Sequence, residues 1–236
     1  MSFLERTTLL LGAEKMQRLS AAHVLIVGTG GVGAYAAEMI CRAGVGTLTL
    51  VDADCVAPSN INRQLIALHS TVGQSKVEVL AARLRDINPE VTLHLRQEFL
   101  TAESAAQLVA EGHFDFVVDA IDPIQPKVAL LATCLKERVR VVSSMGAGAK
   151  TDISSIQFSD IWQTYHCGLS KSVRSGLTKA GLKGRKLPVV FSSQQADRNA
   201  LLAVEGERNK KTTAGTISYM PATFGCYLAQ YVLERL

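Results

Sequence analysis

A glycine-rich segment near the N-terminus constrains the fold of this chain more strongly than any other feature. The segment reads Gly28-Thr-Gly-Gly-Val-Gly33, follows the apolar run at residues 23–27 and leads into a helical pattern over residues 33–43. Glycine has no side chain, so the backbone amides of such a loop can approach an anion, and the helix N-terminus adds a partial positive charge. A strand, a glycine loop and a helix in this order are typical of a phosphate-binding turn. The candidate positions are the four glycines, Gly28, Gly30, Gly31 and Gly33.

Short apolar runs alternate with helical patterns over the first two thirds of the chain. The runs predict strands at residues 23–27, 47–51, 91–95, 116–121 and 139–143. The patterns between them predict helices at residues 33–43, 73–87, 102–111 and 127–138. Such alternation predicts an α/β fold with a doubly wound, Rossmann-like parallel sheet and helices on both of its faces.

The pattern becomes less regular after about residue 145. It predicts strands at residues 155–159 and 187–192, helices at residues 169–182 and 219–236, and an exposed loop at residues 205–215. We therefore expect a nucleotide-binding core at residues 1–150 and a smaller α+β extension at residues 151–236, both within a single domain.

Composition excludes several classes of protein. The 236 residues are 47% hydrophobic and 19% charged, which is ample for a buried core and excludes disorder as the main state. No run of about 18 apolar residues occurs, so we expect no transmembrane span. The N-terminus lacks the pattern of a secretory signal, which favours a cytoplasmic location. The five cysteines contain no Cys-x-x-Cys pair, so no zinc is expected.

Polar residues follow the predicted strands at positions suited to a nucleotide. Asp52 ends the second strand, where a carboxylate can accept hydrogen bonds from ribose hydroxyls. Arg63 and Lys76 supply positive charge suited to a triphosphate and its departing pyrophosphate, which a nicotinamide reaction does not need. Asp122, just after the fourth strand, can hold a hard divalent cation through oxygen. The same region adds the candidates Asp54, Asn60 and Gln64. Together these residues predict nucleotidyl transfer.

A basic segment lies in the C-terminal third. Residues 161–196 contain no Asp or Glu, although the formal net charge of the whole chain is only +4. This segment can bind a polyanion such as a nucleic acid, or it can simply be a solvated helix face. Its basic residues are Lys171, Arg174, Lys179, Lys183, Arg185 and Lys186.

Five segments, in their order and spacing, resemble the adenylating domain of the ubiquitin-activating-enzyme-like superfamily. They are Gly28-Thr-Gly-Gly-Val-Gly33, Asp52-Ala-Asp54, Asn60-Ile-Asn-Arg-Gln64, Gly73-Gln-Ser-Lys76 and Asp119-Ala-Ile-Asp122. The resemblance implies that ATP and Mg²⁺ are the cofactors and that a carboxylate is adenylated. It implies that Asp52 binds ribose and that Asp122 binds magnesium. It further implies that Arg63 and Lys76 bind phosphates, and that Arg6 reaches the partner's ATP in a homodimer.

The C-terminal part resembles one branch of that superfamily, the tRNA threonylcarbamoyladenosine dehydratases. The segments that carry this likeness are Val142-Ser-Ser-Met-Gly-Ala-Gly148, residues 152–160 and residues 164–192. The resemblance implies a ligase-class enzyme whose substrate is a modified adenosine beside the tRNA anticodon. ATP would activate the carboxylate of its threonylcarbamoyl group, and an internal urea atom would close a ring. The basic segment would then face tRNA, with Lys210 and Lys211 adding to the same surface.

Several alternatives stay open at this point. The nearest is an activator of a ubiquitin-like sulfur carrier, with a sulfur-transfer or sulfur-acceptor protein as partner. A nicotinamide-dependent oxidoreductase and a non-catalytic adaptor are the other two. Cys167 is interpreted as a structural thiol, and Cys41, Cys55, Cys134 and Cys226 as packing residues. The apolar C-terminal helix is interpreted as a core or dimer helix, with peripheral membrane association left open.

Overall fold

The computed structural model describes residues 2–203 and 212–236, and within these residues a single seven-stranded sheet dominates the architecture. Its strands lie in the order β3-β2-β1-β4-β5-β7-β6, and only the edge strand β6 runs antiparallel to its neighbour. The strands are β1 (His23–Val27), β2 (Thr47–Val51), β3 (Thr92–Arg96), β4 (Phe116–Asp119), β5 (Val141–Ser144), β6 (Ile156–Asp160) and β7 (Pro188–Ser192). A separate hairpin pairs β8 (Leu201–Ala203) with β9 (Thr212–Ala214).

Helices cover both faces of the sheet. They are α1 (Glu5–Leu11), α2 (Ala13–Ala21), α3 (Gly33–Arg42), α4 (Lys76–Ile87), α5 (Ala102–Gly112), α6 (Ile124–Lys136), α7 (Gly168–Lys179) and α8 (Tyr219–Arg235). The apolar side chains of α3, α4 and α8 pack on one face, and those of α5, α6 and α7 pack on the other. The central strands are apolar on both sides because both sides are covered, as expected for a parallel sheet. The predicted doubly wound α/β fold is therefore confirmed.

The C-terminal helix α8 belongs to the core and packs closely against α3. Its residues Met220, Phe224, Leu228 and Val232 are fully buried. The contact is closest at Gly225, where a Cβ atom would lie 2.5 Å from the carbonyl oxygen of Val32. Glycine at this position is what allows the two backbones to approach. Among the described residues no helix combines the length and the apolar character needed to cross a bilayer.

Helix boundaries differ from the sequence predictions where single residues act against the periodic pattern. The helix predicted at residues 73–87 begins at Lys76, because Gly73 has a φ of +87° and Ser75 precedes the first turn. The helix predicted at residues 127–138 begins at Ile124, because Pro126 lies in the first turn, where no backbone N–H is required. The helix predicted at residues 169–182 ends at Lys179, just before Gly181, which has a φ of +76°.

The prediction of an exposed loop at residues 205–215 is wrong at its C-terminal end. There Thr212–Ala214 forms a strand that pairs with Leu201–Ala203. Strand formation there depends on the partner segment, which local composition does not reveal. Lys210 and Lys211 lie outside the described residues.

Candidate functional site

The glycine segment forms the turn between β1 and α3 at the carboxyl edge of the sheet. Gly28 has a φ of +89°, and a Cβ atom there would lie 2.6 Å from the carbonyl oxygen of Ala120. A Cβ atom at Gly33 would lie 1.7 Å from the carbonyl oxygen of Gly28. Both positions therefore require glycine for steric reasons. Gly30 and Gly31 are less crowded: a Cβ atom at Gly30 would lie 3.5 Å from Gln64 Nε2, and one at Gly31 would lie 3.2 Å from Pro221 Cβ.

Asp52 ties the glycine turn to the loop after β2. Its Oδ2 accepts hydrogen bonds from the backbone N–H of Thr29 at 2.7 Å and from the Thr29 hydroxyl at 3.1 Å. Its Oδ1 accepts a hydrogen bond from the backbone N–H of Asp54 at 2.9 Å. A carboxylate has about four acceptor positions, so one more donor, such as a ribose hydroxyl, can still be accommodated.

Lys76 is held at the start of α4 by a single ion pair. Its Nζ lies 2.8 Å from Asp54 Oδ2, and the lysine side chain is only 6% exposed while the aspartate is 69% exposed. A buried ammonium group with one exposed partner can exchange that partner for a phosphate oxygen at little cost. The ion pair places the Lys76 ammonium group next to Asp54, whose backbone N–H in turn donates to Asp52.

Arg63 and Gln64 lie in the turn that follows the short helix Pro58–Asn60. Arg63 Nη1 donates to the carbonyl oxygen of Ser59 at 2.9 Å and to Asn62 Oδ1 at 2.8 Å. Gln64 is 9% exposed, and its Oε1 is buried without a hydrogen-bond partner in the described part of the chain. Its side chain lies beside Gly30. A buried acceptor without a partner beside the glycine turn fits a ligand that donates a hydrogen bond to it.

Asn60 instead stabilises its own turn, since its Oδ1 accepts a hydrogen bond from the backbone N–H of Ala57 at 3.1 Å. Arg6 is exposed on α1 and, among the described residues, makes no hydrogen bond or ion pair with the residues above. The structure thus brings the glycine turn, Asp52, Asp54 and Lys76 together through direct hydrogen bonds. It places Arg63, Gln64 and Asn60 on the adjacent turn.

The turn after β4 contains an ion pair that sequence reasoning missed. Lys127 Nζ lies 2.7 Å from Asp119 Oδ2, and both side chains are 0% exposed. Asp122 lies on the surface at the end of the same turn. The available signal was a lysine at the start of an apolar predicted helix, eight residues after an aspartate that ends a strand. Among the described residues no group of three His, Cys, Asp or Glu side chains is placed to hold a metal ion. Magnesium at Asp122 would therefore need further oxygen ligands from phosphates and water.

The cysteines divide into two kinds. Cys41 and Cys134 are buried, and burial raises the pKa of Cys41 to about 11 and that of Cys134 to about 12. Cys55 and Cys226 are exposed, so their interpretation as packing residues is wrong. Both lie next to apolar residues in sequence, but their own side chains are turned to the surface.

Cys167 precedes α7 and accepts a hydrogen bond from the backbone N–H of Ser170 at 3.5 Å, as the helix cap. Lys150 is its charged neighbour. Burial lowers the pKa of Lys150, while the Cys167 thiol acts in the opposite direction. Lys150 Nζ donates to the carbonyl oxygen of Ser192 at 2.7 Å. These contacts assign Cys167 a capping role in α7.

The basic segment is spread along α7 and the loop that follows it. Arg174 is half-buried, and its Nη1 donates to Thr164 Oγ1 and to the carbonyl oxygens of Thr164 and Ile161. Its guanidinium is thus engaged in holding the chain together. The remaining five side chains are exposed: Lys171, Lys179, Lys183, Arg185 and Lys186.

The helix α7 begins beside the carboxyl edge of the sheet, where Cys167 Sγ would lie 3.7 Å from a Cβ atom at Gly146. It then leads back to the start of β7 at the opposite edge. Twelve residues of helix span about 18 Å, so Lys183, Arg185 and Lys186 lie about one helix length from the N-terminus of α7.

Comparisons with known proteins agree with this geometry. The sequence model of the ThiF family matches residues 4–236. The tRNA threonylcarbamoyladenosine dehydratase of Bacillus subtilis is 43% identical over 189 residues, covering 80% of this chain and 74% of the relative. The enzyme of the same name from Escherichia coli is 34% identical, covering 98% of this chain and 91% of the relative.

Solved structures give the same result. The crystal structure of Escherichia coli tRNA N6-threonylcarbamoyladenosine dehydratase in complex with ATP superposes with a TM-score of 0.88 at 33% identity, covering 98% of this chain and 91% of that chain. In sequence, the molybdopterin-synthase adenylyltransferase of Escherichia coli is also similar, with 33% identity over 81% of this chain and 77% of the relative. The family match extends over nearly the whole chain, including both the glycine turn and the C-terminal helix. This chain therefore belongs to the ThiF family.

Proposed function

We propose that this chain is an ATP-dependent enzyme that dehydrates threonylcarbamoyladenosine in tRNA by adenylating its carboxylate. The observation that carries the proposal is the single cluster at the carboxyl edge, where the glycine turn, Asp52 and Lys76 are joined by direct contacts. Ligands of doubly wound sheets bind at this edge. The likeness to dehydratases over most of the chain supports tRNA as the substrate.

The cluster fits ATP in three respects. The glycine turn leaves space for phosphate oxygens, and its amides lie at the N-terminus of α3. Asp52 retains acceptor capacity for the ribose, and Gln64 Oε1 is a buried acceptor to which no described residue donates. Lys76 and Arg63 add the positive charge that stabilises a departing pyrophosphate.

The reaction proceeds in two displacements. The substrate carboxylate oxygen attacks the α-phosphorus, the bond to the β-phosphate oxygen breaks, and pyrophosphate leaves. A urea atom of the same substrate then attacks the activated carbonyl carbon and closes a ring, the bond from that carbon to the AMP oxygen breaks, and the urea group releases an N–H proton to solvent. AMP leaves with the former carboxylate oxygen. The net change in the substrate is the loss of one water. Because the nucleophile belongs to the substrate, no enzyme thiol is required.

Asp122, together with phosphate oxygens, would hold Mg²⁺, whose chemistry is to neutralise charge on the triphosphate. The chain's own contribution is to orient the nucleotide through Asp52 and to bind its phosphates through Lys76 and Arg63. Ligase-class adenylation is the reaction type that this arrangement supports.

A homodimer is part of the proposal. On α1, Leu9 and Leu10 are each 82% exposed, beside the exposed Arg6. Adjacent exposed leucines are typical of an interface. Covering them with a second copy would bring an arginine of one protomer towards the nucleotide of its partner, as the superfamily resemblance implies.

The exposed basic residues of α7 and its following loop would bind the tRNA backbone. Five cations without a nearby acid in sequence suit phosphate contacts, which position a nucleic acid without reading its sequence. Lys171 lies in the first turn of α7, beside the carboxyl edge, whereas Lys183, Arg185 and Lys186 follow the far end of the helix. This spread along α7 suits a long ligand such as a tRNA stem.

A second candidate is supported by the similarity to molybdopterin-synthase adenylyltransferase: activation of a ubiquitin-like sulfur carrier. One experiment separates the two. The protein is incubated with ATP and with tRNA that either carries or lacks the threonylcarbamoyl group, and AMP release is measured together with the mass of the product nucleoside. We expect AMP release only with modified tRNA and a product lighter by one water. AMP release that ignores the modification, or that requires a small protein ending in Gly-Gly, would contradict the proposal.

A further inference from the structure

The buried ion pair of Asp119 and Lys127 has no part in the chemistry described above. Both side chains are 0% exposed, and Ser143 Oγ donates to the same Asp119 oxygen at 2.6 Å. Two charges removed from water gain little stability, because their desolvation offsets their attraction. A pair this deep beside a nucleotide site therefore points to a role in geometry.

Both partners bind the backbone of the residue that precedes Asp122. Asp119 Oδ1 accepts a hydrogen bond from the Ile121 backbone N–H at 3.1 Å. Lys127 Nζ donates to the Ile121 carbonyl oxygen at 3.0 Å. The N–H and the carbonyl of one residue belong to two successive peptide groups. The ion pair thus fixes both peptide planes that flank Ile121, and the second of these carries the nitrogen of Asp122.

The same turn rests on the glycine segment. The backbone N–H of Ala120 donates to the carbonyl oxygen of Val27 at 2.8 Å. The Ala120 carbonyl occupies the space that a Cβ atom at Gly28 would need. A shift of the turn would therefore move Asp122 and press on the phosphate-binding loop together.

We propose that Asp119 and Lys127 are positioning residues that hold the Asp122 carboxylate in register with the glycine turn. The inference rests on the role of Asp122 in ATP use given under the proposed function. Ser143 belongs to the same assembly, because it orients the Asp119 carboxylate from the neighbouring strand β5.

The test uses one mild variant and one that removes both charges. Ser143→Ala deletes a single hydrogen bond to Asp119, and Asp119→Asn combined with Lys127→Met removes the pair without leaving an unpaired buried charge. Ser144→Ala is the matched control, since Ser144 lies next on β5 and donates instead to the carbonyl oxygen of Met145. Each variant is made in the wild-type chain and in Asp122→Ala.

Two quantities are measured: the single-turnover rate of AMP formation on modified tRNA, and amide hydrogen exchange at Ile121 and Asp122 in the nucleotide-free protein. In the wild-type background we expect Ser143→Ala to lower the rate about threefold to tenfold and the double variant to lower it more. In the Asp122→Ala background we expect less than about a twofold further loss, because the group being positioned is already gone. Exchange at Ile121 should be faster in the double variant, and Ser144→Ala should change neither quantity.

Equal fold-losses in the two backgrounds would show a merely structural pair and would overturn this inference while leaving the proposed function intact. Unchanged exchange at Ile121 in the double variant would also overturn it. A normal rate in Asp122→Ala alone would instead contradict the role proposed for Asp122, and the inference would fail with it. If the double variant does not fold, Ser143→Ala in the two backgrounds still decides between these outcomes.

Discussion

The carboxylate of Asp52 accepts hydrogen bonds from both the backbone N–H and the hydroxyl of Thr29, at 2.7 and 3.1 Å. Thr29 is fully buried inside the glycine turn, whereas Asp52 directly follows the neighbouring strand β2. One residue of the glycine turn thus orients the carboxylate that we propose binds the ribose.

Replacing Thr29 tests this coupling. Thr29→Val keeps the shape of the side chain but removes its hydroxyl. A hydrogen bond to a charged group contributes about 1.5–3 kcal/mol, and we expect about 1 kcal/mol of this to appear in ATP binding because the Thr29 backbone N–H still holds the same Asp52 oxygen. We expect the Kd for ATP, measured by calorimetry, to rise about fivefold. Thr29→Ser keeps the hydroxyl and should bind ATP as the wild type does. Equal affinities of the valine and serine variants would show that the hydroxyl does not orient Asp52 for binding.

Lys76 is expected to act on the reaction more than on stability. Lys76→Met keeps much of the volume but removes the charge, and loss of one such electrostatic contact costs about 3 kcal/mol in the transition state. We expect the rate of AMP formation to fall about 100-fold in rapid-quench measurements. Lys136→Met, on the exposed last turn of α6, is the control and should leave the rate unchanged. A rate within about twofold of wild type would remove Lys76 from the phosphate site.

Gly33 is expected to tolerate no side chain. A Cβ atom there would lie 1.7 Å from the Gly28 carbonyl oxygen, so Gly33→Ala must displace the turn. We expect a loss of about 1–3 kcal/mol in the free energy of unfolding, measured by denaturant titration. Gly168→Ala is the matched control, because a Cβ atom there would have nothing within 4 Å. Alanine at Gly168 should leave stability equal or slightly higher, since it favours helix.

Glu38 predicts a pH dependence of stability. Burial alone would raise the pKa of Glu38, but hydrogen bonds and charge from Arg83 and Arg42 outweigh it and hold that pKa below its ordinary value. The carboxylate joins α3 to α4 through Arg83 Nε at 2.6 Å. Its contribution is fully present above the ordinary glutamate pKa of about 4.3, and is lost as pH falls through the lower pKa of the folded state.

Glu38→Gln should therefore lower the free energy of unfolding at pH 7 by about 1–2 kcal/mol. This loss is smaller than for a fully buried ion pair, because both arginines are about half exposed and water screens their charge. The difference between variant and wild type should shrink as the pH is lowered below about 4. Denaturant titrations of both proteins at several pH values measure this difference in the free energy of unfolding. A difference that stays constant down to pH 3 would show that the charge of Glu38 contributes nothing.

The basic surface predicts a salt dependence of tRNA binding. Lys183→Ala with Lys186→Ala removes two exposed cations after α7. If each contacts a phosphate, the slope of log K against log salt should become shallower by about 1.5 to 2. Arg18→Ala with Arg85→Ala removes two exposed cations from α2 and α4, on the other face of the sheet, and should leave the slope unchanged. If both double variants changed the salt slope equally, the effect would come from net charge in general and not from a binding surface on α7.

Local patterns were enough to predict the central strands and the glycine turn. The runs at residues 23–27 and 47–51 match β1 and β2 residue for residue, because continuous burial makes a strand apolar along its whole length. Asp52 could be proposed as a site residue from sequence because parallel strands all end at one edge, whereas Lys76, at the start of α4, could be proposed only for its positive charge. Arg174 could not be separated from its exposed neighbours, since its contacts with Ile161 and Thr164 depend on how distant backbone segments meet.

The sequence by itself determined the α/β alternation, the glycine requirement of the phosphate turn and the set of charged residues at the ends of strands. These follow from the chemistry of neighbours in the chain. The tertiary structure alone decided that β6 runs antiparallel, that Thr212–Ala214 pairs as a strand and that Lys127 is buried against Asp119. The physical reason is that a charge can be buried only where a partner from another element compensates it, and sequence spacing does not specify that partner.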